Sequence, residues 1–563
     1  MATLITGAKI FTADPAHDEL YSTLLVDQTG RVRFVGEESE AQAALASLSP
    51  TDITRIDMGG KVIIPGLIDA HSHLSMMGGA LLKPDLVRCK SLAEIKETLL
   101  AHHGQDPSRP RLLGRAWLFN SLVDDAGVLQ RPHKRILDEL LPDLPIYLDA
   151  VDLHSIWVSS AALEEMGITK ETPDPKGGRW EKDEQGELTG LVMETPVVET
   201  VWPFLAQQLS EKERDQAFDT MFAAYLATGV TGAIDMAMEG PDLEALERAF
   251  ARYGGSLPLR VAAHWIVSPT GTEQDRLSHV TAAIKHRERL ASRAPFLRIA
   301  GIKVIVDGVI DSCTAFMKEP YSDGSRADPI WTLEELLPVV LAADKAGLQI
   351  ALHAIGDGAC TVALDALERA FKINGTRHDR RHRLEHMEAI SEDDIKRLAS
   401  LQITASLQPV HADPLIAPNW HAMLGDDRCT RAFPWKEFRD HNVAIALGTD
   451  APTAPYEAMP NLYVATTRRS ALEPDMPWPP SLPQLAKFDS FCFSLKGALL
   501  GATRGAAHSC HSDHEVGSLA PGMSADFAVL SIDPFAEGVE VLARAQEAVV
   551  ETWVAGKKVY SRA

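Results

Sequence analysis

The chain has 563 residues, 45% of them hydrophobic and 24% charged, globular values that exclude a disordered chain and allow a large core. Asp and Glu number 78 against 55 Lys and Arg, a net charge of −23. So acidic a surface repels phosphate backbones and anionic lipid, and neither nucleic acid nor a membrane is an expected partner. No run approaches ~18 uninterrupted apolar residues, and the opening Met1-Ala2-Thr3-Leu4-Ile5 has neither the basic head nor the long apolar segment of a signal peptide. The six cysteines are scattered without a C-x-x-C pair, which points to reduced thiols and a cytoplasmic location.

Residues 1–62 alternate apolar and polar in short runs such as Ser22-Thr23-Leu24-Leu25-Val26 and Val32-Arg33-Phe34-Val35. This period of two, broken by turn residues, predicts small antiparallel β structure. Residues 511–563 have the same character in Asp526-Phe527-Ala528-Val529-Leu530 and Ala548-Val549-Val550-Glu551-Thr552-Trp553-Val554. Two β-rich ends around a different middle predict one discontinuous β-sandwich built from both termini.

Residues 63–510 alternate strands with helices. The pair Ser210 and Glu213 is a capping box that opens a helix ending near Gly229, and Val230-Thr231-Gly232-Ala233-Ile234-Asp235 reads as a strand. A second box, Thr332 with Glu335, opens a helix that ends at Gly347; Leu348-Gln349-Ile350-Ala351-Leu352 is then a buried strand closing at His353. Further strands are expected at Arg383-Leu384-Glu385-His386, Ile403-Thr404-Ala405-Ser406-Leu407 and Val443-Ala444-Ile445-Ala446-Leu447, with a Ser391-capped helix between the first two. Repeated β/α units predict a parallel sheet, and so many of them fit an α/β fold of the (β/α)8 TIM-like barrel type. An insertion is expected around 150–205, with a hairpin from Arg179-Trp180 to Leu191-Val192.

The sharpest chemical signal is Pro65-Gly66-Leu67-Ile68-Asp69-Ala70-His71-Ser72-His73. Two histidines spaced i, i+2 on an extended strand face one side, so both imidazoles can reach one cation. Lys303 lies inside the apolar strand Ile302-Lys303-Val304-Ile305-Val306, where a bare ammonium is costly. His353, His386 and Asp450 each close a predicted strand, and the active sites of such barrels lie at the carboxyl ends of the strands. No Gly-x-Ser-x-Gly elbow occurs, so no serine nucleophile is expected.

These motifs, with His353-Ala354-Ile355-Gly356-Asp357, Leu447-Gly448-Thr449-Asp450-Ala451-Pro452 and Val516-Gly517-Ser518-Leu519-Ala520-Pro521-Gly522-Met523-Ser524-Ala525-Asp526, resemble the metal-dependent amidohydrolase superfamily. The resemblance is to its amidohydrolase-3 branch, which includes N-substituted formamide deformylase-like proteins, and it covers nearly the whole chain. It implies one or two divalent ions, zinc by the ligand types. His71, His73 and Asp450 would bind one ion, His353 and His386 the second, and a carboxylated Lys303 would bridge them. Asp450 would be the catalytic acid–base, and His154, in Asp152-Leu153-His154-Ser155, the contact to the substrate carbonyl.

The implied reaction is hydrolysis of a non-peptide carbon–nitrogen bond, an amide or N-substituted formamide, of a small-molecule substrate by a metal-activated hydroxide. The alternative is a deaminase or a cyclic amidine or imide hydrolase of the same superfamily. Asp307, Asp357, Gln408, His411 and Asp413 are second-tier candidates, and Trp117, Phe119, Trp180, Trp202 and Trp331 are candidates for an apolar wall. A homodimer is a possible assembly for a chain of this kind.

Overall fold

The computed structural model describes residues 1–563 apart from 15–16, 18, 47–48, 50–51, 151–154, 176–177, 376, 416–419, 477–491 and 563. Eight parallel strands stand side by side in chain order: β1 (Leu67–Ser72), β2 (Val230–Met238), β3 (Arg260–Ile266), β4 (Leu297–Ile305), β5 (Gln349–Ala354), β6 (Arg383–His386), β7 (Thr404–Leu407) and β8 (Ile445–Leu447). Consecutive neighbours pair in parallel throughout. The first and last strands then meet. Asp450 N donates to His71 O at 2.7 Å, His73 N donates to Ala451 O at 2.9 Å, and Ser72 bridges Ala451 in parallel.

Asp69 fastens this seam. Its buried carboxylate accepts from His71 N at 3.1 Å, Thr449 N at 3.0 Å, Thr449 Oγ1 at 2.5 Å and Tyr225 Oη at 2.9 Å. The approach is so close that a Cβ at Gly448 would stand 2.4 Å from the His71 amide nitrogen, so only glycine fits there.

The two chain ends form two sheets, as their alternating pattern predicts. One holds four strands, Val32–Gly36, Thr23–Val26, Ala2–Thr6 and Ile53–Asp57, and the other five, Lys9–Ile10, Val62–Pro65, Phe527–Leu530, Val549–Val554 and Lys557–Ser561. Ile5, Leu24 and Val26 of the first share a core with Ile10, Ile63, Phe527, Val529 and Trp553 of the second. Arg260 of β3 ties this sandwich to the barrel, donating to Asp526 Oδ2 at 2.7 Å and Ser524 Oγ at 2.8 Å.

The segment Ser75–Thr220 makes a compact unit of its own. It holds a five-stranded sheet in the order Gly178–Lys182, Leu188–Glu194, Ser155–Val158, Ile146–Ala150, Leu112–Trp117. Its hairpin is the one expected from the sequence, with Trp180 opposite Val192. Of the aromatic wall candidates, Trp117 and Trp180 are buried in this unit's cores and Trp331 is buried in the other unit under Arg276. Trp202 donates to Asp149 Oδ1 at 2.9 Å, and Phe119 is 41% exposed.

Helix starts follow their caps. Thr332 and Glu335 close a reciprocal capping box on the helix Leu333–Lys345, and Ser391 accepts from Asp394 N at the start of Glu392–Leu401. Near the C-terminus of the first of these helices, Asp344 is fully buried. Arg380 Nε lies 2.7 Å and His382 Nε2 3.1 Å from its Oδ1, and Asn374 Nδ2 lies 2.9 Å from Oδ2. Arg380 and His382 lead directly into β6, so this network holds the strand that carries Glu385 and His386.

Burial alone would raise the Asp344 pKa, but the hydrogen bonds from His382, Arg380 and Asn374 outweigh it and hold the carboxyl well below its usual range. A depressed folded-state pKa gives stability that is present above the ordinary aspartate value and lost as pH falls below it. Asp344→Asn is therefore expected to lose about 3–5 kcal/mol near neutral pH. Urea unfolding from pH 7 to 3 should also show a shallower acid limb in the variant than in the wild type.

Candidate metal centre

The carboxyl ends of five strands converge on one cluster. His71 lies one residue before the end of β1 and His73 just past it; Lys303 lies on β4, His353 near the end of β5, His386 at the end of β6, and Asp450 just past β8. His73 Nε2 lies 3.1 Å and His71 Nε2 3.4 Å from Asp450 Oδ1. Lys303 Nζ is 3.4 Å from His71 Nε2. The His386 ring centroid is 4.7 Å from that of His71 and 4.3 Å from that of His353. All six residues expected as ligands thus lie in one place. His154, the expected carbonyl contact, lies outside the described residues.

Potential ligand atoms gather in two triads, His71, His73 and Asp450, and His386, Glu388 and His411, each within 4.8 Å of one another. His353 belongs to neither; its Nε2 lies 3.2 Å from Gly308 O. His411 was a second-tier candidate and Glu388 was not a candidate at all. They form a pair, His411 Nδ1 to Glu388 Oε1 at 2.9 Å, with His411 Nε2 3.5 Å from Asp450 Oδ2. No sequence signal singles out Glu388; it is the structure that leaves its carboxylate only 6% exposed and in need of a partner.

The other second-tier carboxylates do structural work. Asp307 accepts from Phe316 N, Ile355 N and Gly356 N at 2.9–3.0 Å, Asp357 from Lys318 N at 2.8 Å, and Asp413 from Ala471 N at 2.8 Å. Gln408 is buried with neither amide atom hydrogen-bonded among the described residues. Backbone strain collects at the cluster too: His386 and Asp450 sit at φ 72° and 62°, a left-handed region that non-glycine residues occupy at a cost and that marks functional sites.

Burial sets the protonation states. It pushes His71 down to about 4 and His353 down to about 3, with the Lys303 charge adding to both, and it holds His386 well below its usual value. These rings are neutral near pH 7 and carry free lone pairs. Burial also lowers Lys303 to about 8, against the opposing pull of Glu385 and Asp450. Asp450 would be raised by burial, but His71 and His73 outweigh this and hold it well below the usual carboxylate range.

The donor set fits a divalent cation. His73 Nδ1, His386 Nδ1 and Asp450 Oδ1 are buried without a hydrogen-bond partner among the described residues. Neutral imidazoles gathered about a charged carboxylate are the ligands such an ion takes. A parallel eight-stranded barrel with this cluster at its strand ends is the architecture of a metal-dependent hydrolase.

The chain belongs to the amidohydrolase family, which residues 54–560 match, and it is an enzyme that hydrolyses carbon–nitrogen bonds. YtcJ of Bacillus subtilis, an amidohydrolase by name, is 31% identical over 491 residues, 85% of this chain and 86% of its own. The N-substituted formamide deformylase of Arthrobacter pascens is 26% identical over 581 residues, 99% of this chain and 98% of its own. An uncharacterised metal-dependent hydrolase from Pyrococcus furiosus shares the fold at a TM-score of 0.73 and 23% identity, covering 95% of this chain and 100% of the other. No helix among the described residues is long and apolar enough to cross a membrane.

Removing one ligand should separate metal binding from folding. His73→Ala and Asp450→Asn are expected to keep the circular dichroism spectrum of the wild type and to retain far less divalent metal on elemental analysis. Zinc at about 100 times its Kd should stabilise the wild type by about 2.7 kcal/mol, and both variants should lose most of that shift.

Proposed function

We propose that the protein hydrolyses an amide or N-substituted formamide of a small molecule, outside peptide bonds, with zinc as its metal. The observation that carries this reading is the placement of Asp450. Its Oδ1 faces His71 and His73, and its Oδ2 faces His411. One carboxylate thus links the His71–His73 pair to His411. The full-length similarity to a formamide deformylase supports the substrate class.

In this reading His71, His73 and Asp450 would hold one ion and His353 and His386 a second, with a carboxylated Lys303 serving both. Bound there, the metal would supply Lewis acidity to the substrate carbonyl and lower the pKa of the attacking water. Asp450 orients that water, accepts its proton and delivers it to the leaving amine nitrogen as the carbon–nitrogen bond breaks. His411, held by Glu388, keeps the second Asp450 oxygen in place.

Lys303 is carboxylated in this scheme. Its amine, 1% exposed and 3.4 Å from His71 Nε2, attacks carbon dioxide as the neutral amine, releases a proton to solvent and becomes an anionic oxygen ligand. None of the six cysteines is in a disulfide, which supports a reducing, cytoplasmic setting.

A panel of N-formyl and N-acyl amines assayed with added zinc tests the substrate class. Formate or free carboxylate release is expected, with kcat reduced about 100-fold or more in Asp450→Asn. Ammonia release from aminopurines or cytosine without any acyl hydrolysis would assign the chain to the deaminase reading instead.

A further inference from the structure

We propose that Glu385, clamped by Arg383, is a positioning residue that fixes the His71 ring, so that His71 presents Nε2 and never Nδ1 to the metal. The proposal rests on the reading of the cluster as a metal centre. It concerns residues that touch no substrate and that act through a ligand.

The geometry is specific. His71 Nδ1 lies 2.7 Å from Glu385 Oε2, and a carboxylate can only accept, so the proton sits on Nδ1 and the Nε2 lone pair faces Asp450 and Lys303. Glu385 is in turn gripped by a two-point fork. Arg383 Nε donates to Oε1 at 2.6 Å and Nη2 to Oε2 at 3.1 Å. The same guanidinium reaches Ala70 O of β1 at 2.6 Å, Ser406 Oγ of β7 at 2.7 Å and Ser509 Oγ at 3.1 Å. Arg383 therefore holds both the backbone beside His71 and the carboxylate that holds its ring.

All three side chains are at most 1% exposed. A buried ion pair contributes little net stability, because the desolvation of both charges offsets their attraction. A barrel core packs well with aliphatic residues alone, so packing does not require this pair. A carboxylate behind a metal-bound imidazole sets its tautomer and strengthens it as a ligand, and loss of such a partner weakens metal affinity about 10–100-fold. Sequence spacing hid the arrangement: Arg383 and Glu385 are neighbours on one strand, whereas His71 is 314 residues from Glu385.

The experiment is a zinc competition titration against a chelating dye at pH 7, on the full chain. It compares the wild type with Glu385→Gln and with the double variant Arg383→Met/Glu385→Gln, which removes both buried charges together. Folded variants should bind zinc about 10–100 times more weakly than the wild type. A folded double variant with wild-type affinity overturns the proposal.

A second measurement needs no substitution at either residue. Nitrogen-15 spectra of histidine-labelled, metal-free protein, with the His71 signals assigned by their loss in His71→Ala, should show the proton on Nδ1. A proton on Nε2 overturns the proposal. A wild-type chain that binds no zinc would sink the metal reading, while the tautomer would still decide the role of Glu385.

Discussion

The seam between β1 and β8 is the constraint on which the site depends. Without it the eight strands are an open sheet whose first and last members lie at opposite edges, and Asp450 is far from His71 and His73. The Asp69 carboxylate, with four donors from β1, the turn after β8 and Tyr225, joins those edges. The absent side chain of Gly448 lets them approach. Closure and assembly of the strand-end cluster are the same event: the hydrogen bonds that shut the barrel run through His71 and Asp450 themselves.

Around that seam the interior is charged where a barrel of this type is ordinarily aliphatic. Lys303, Arg383, Glu385 and Asp450 are buried together with the rings of His71, His353 and His386. The imidazoles stay neutral because burial penalises their protonation, and Glu385 stays ionised because the Arg383 charge, with the His71 hydrogen bond, outweighs its burial. This is the electrostatic state that a cation finds favourable. His386 and Asp450, at φ 72° and 62°, hold a left-handed backbone there at a local conformational cost.

Much of this was legible in the sequence because its signals are local. Period-two alternation marked the terminal sheets, a capping box at Thr332 and an N-cap at Ser391 marked helix starts, and the strand-end positions of His71, His73, His353, His386 and Asp450 marked the cluster. What was hidden is non-local or weakly patterned. The strand Arg260–Ile266 carries Arg and His among its apolar residues and gives no clean run. In the sheet of the Ser75–Thr220 unit the strands Leu112–Trp117 and Ile146–Ala150 pair across a long connection whose main regular element is the short helix Lys134–Asp138. Glu388 is an ordinary acidic residue in the sequence; only the packing of the loop after β6 against His411 gives it a partner.

The most direct test of the metal centre is X-ray diffraction from zinc-loaded crystals at energies on either side of the zinc absorption edge. A strong anomalous peak is expected about 2.0–2.2 Å from His71 Nε2, a His73 ring nitrogen and an Asp450 oxygen. Zinc bound elsewhere in the chain, with these three side chains hydrogen-bonded only to one another or to water, would contradict the assignment of the strand-end cluster as the hydrolytic centre.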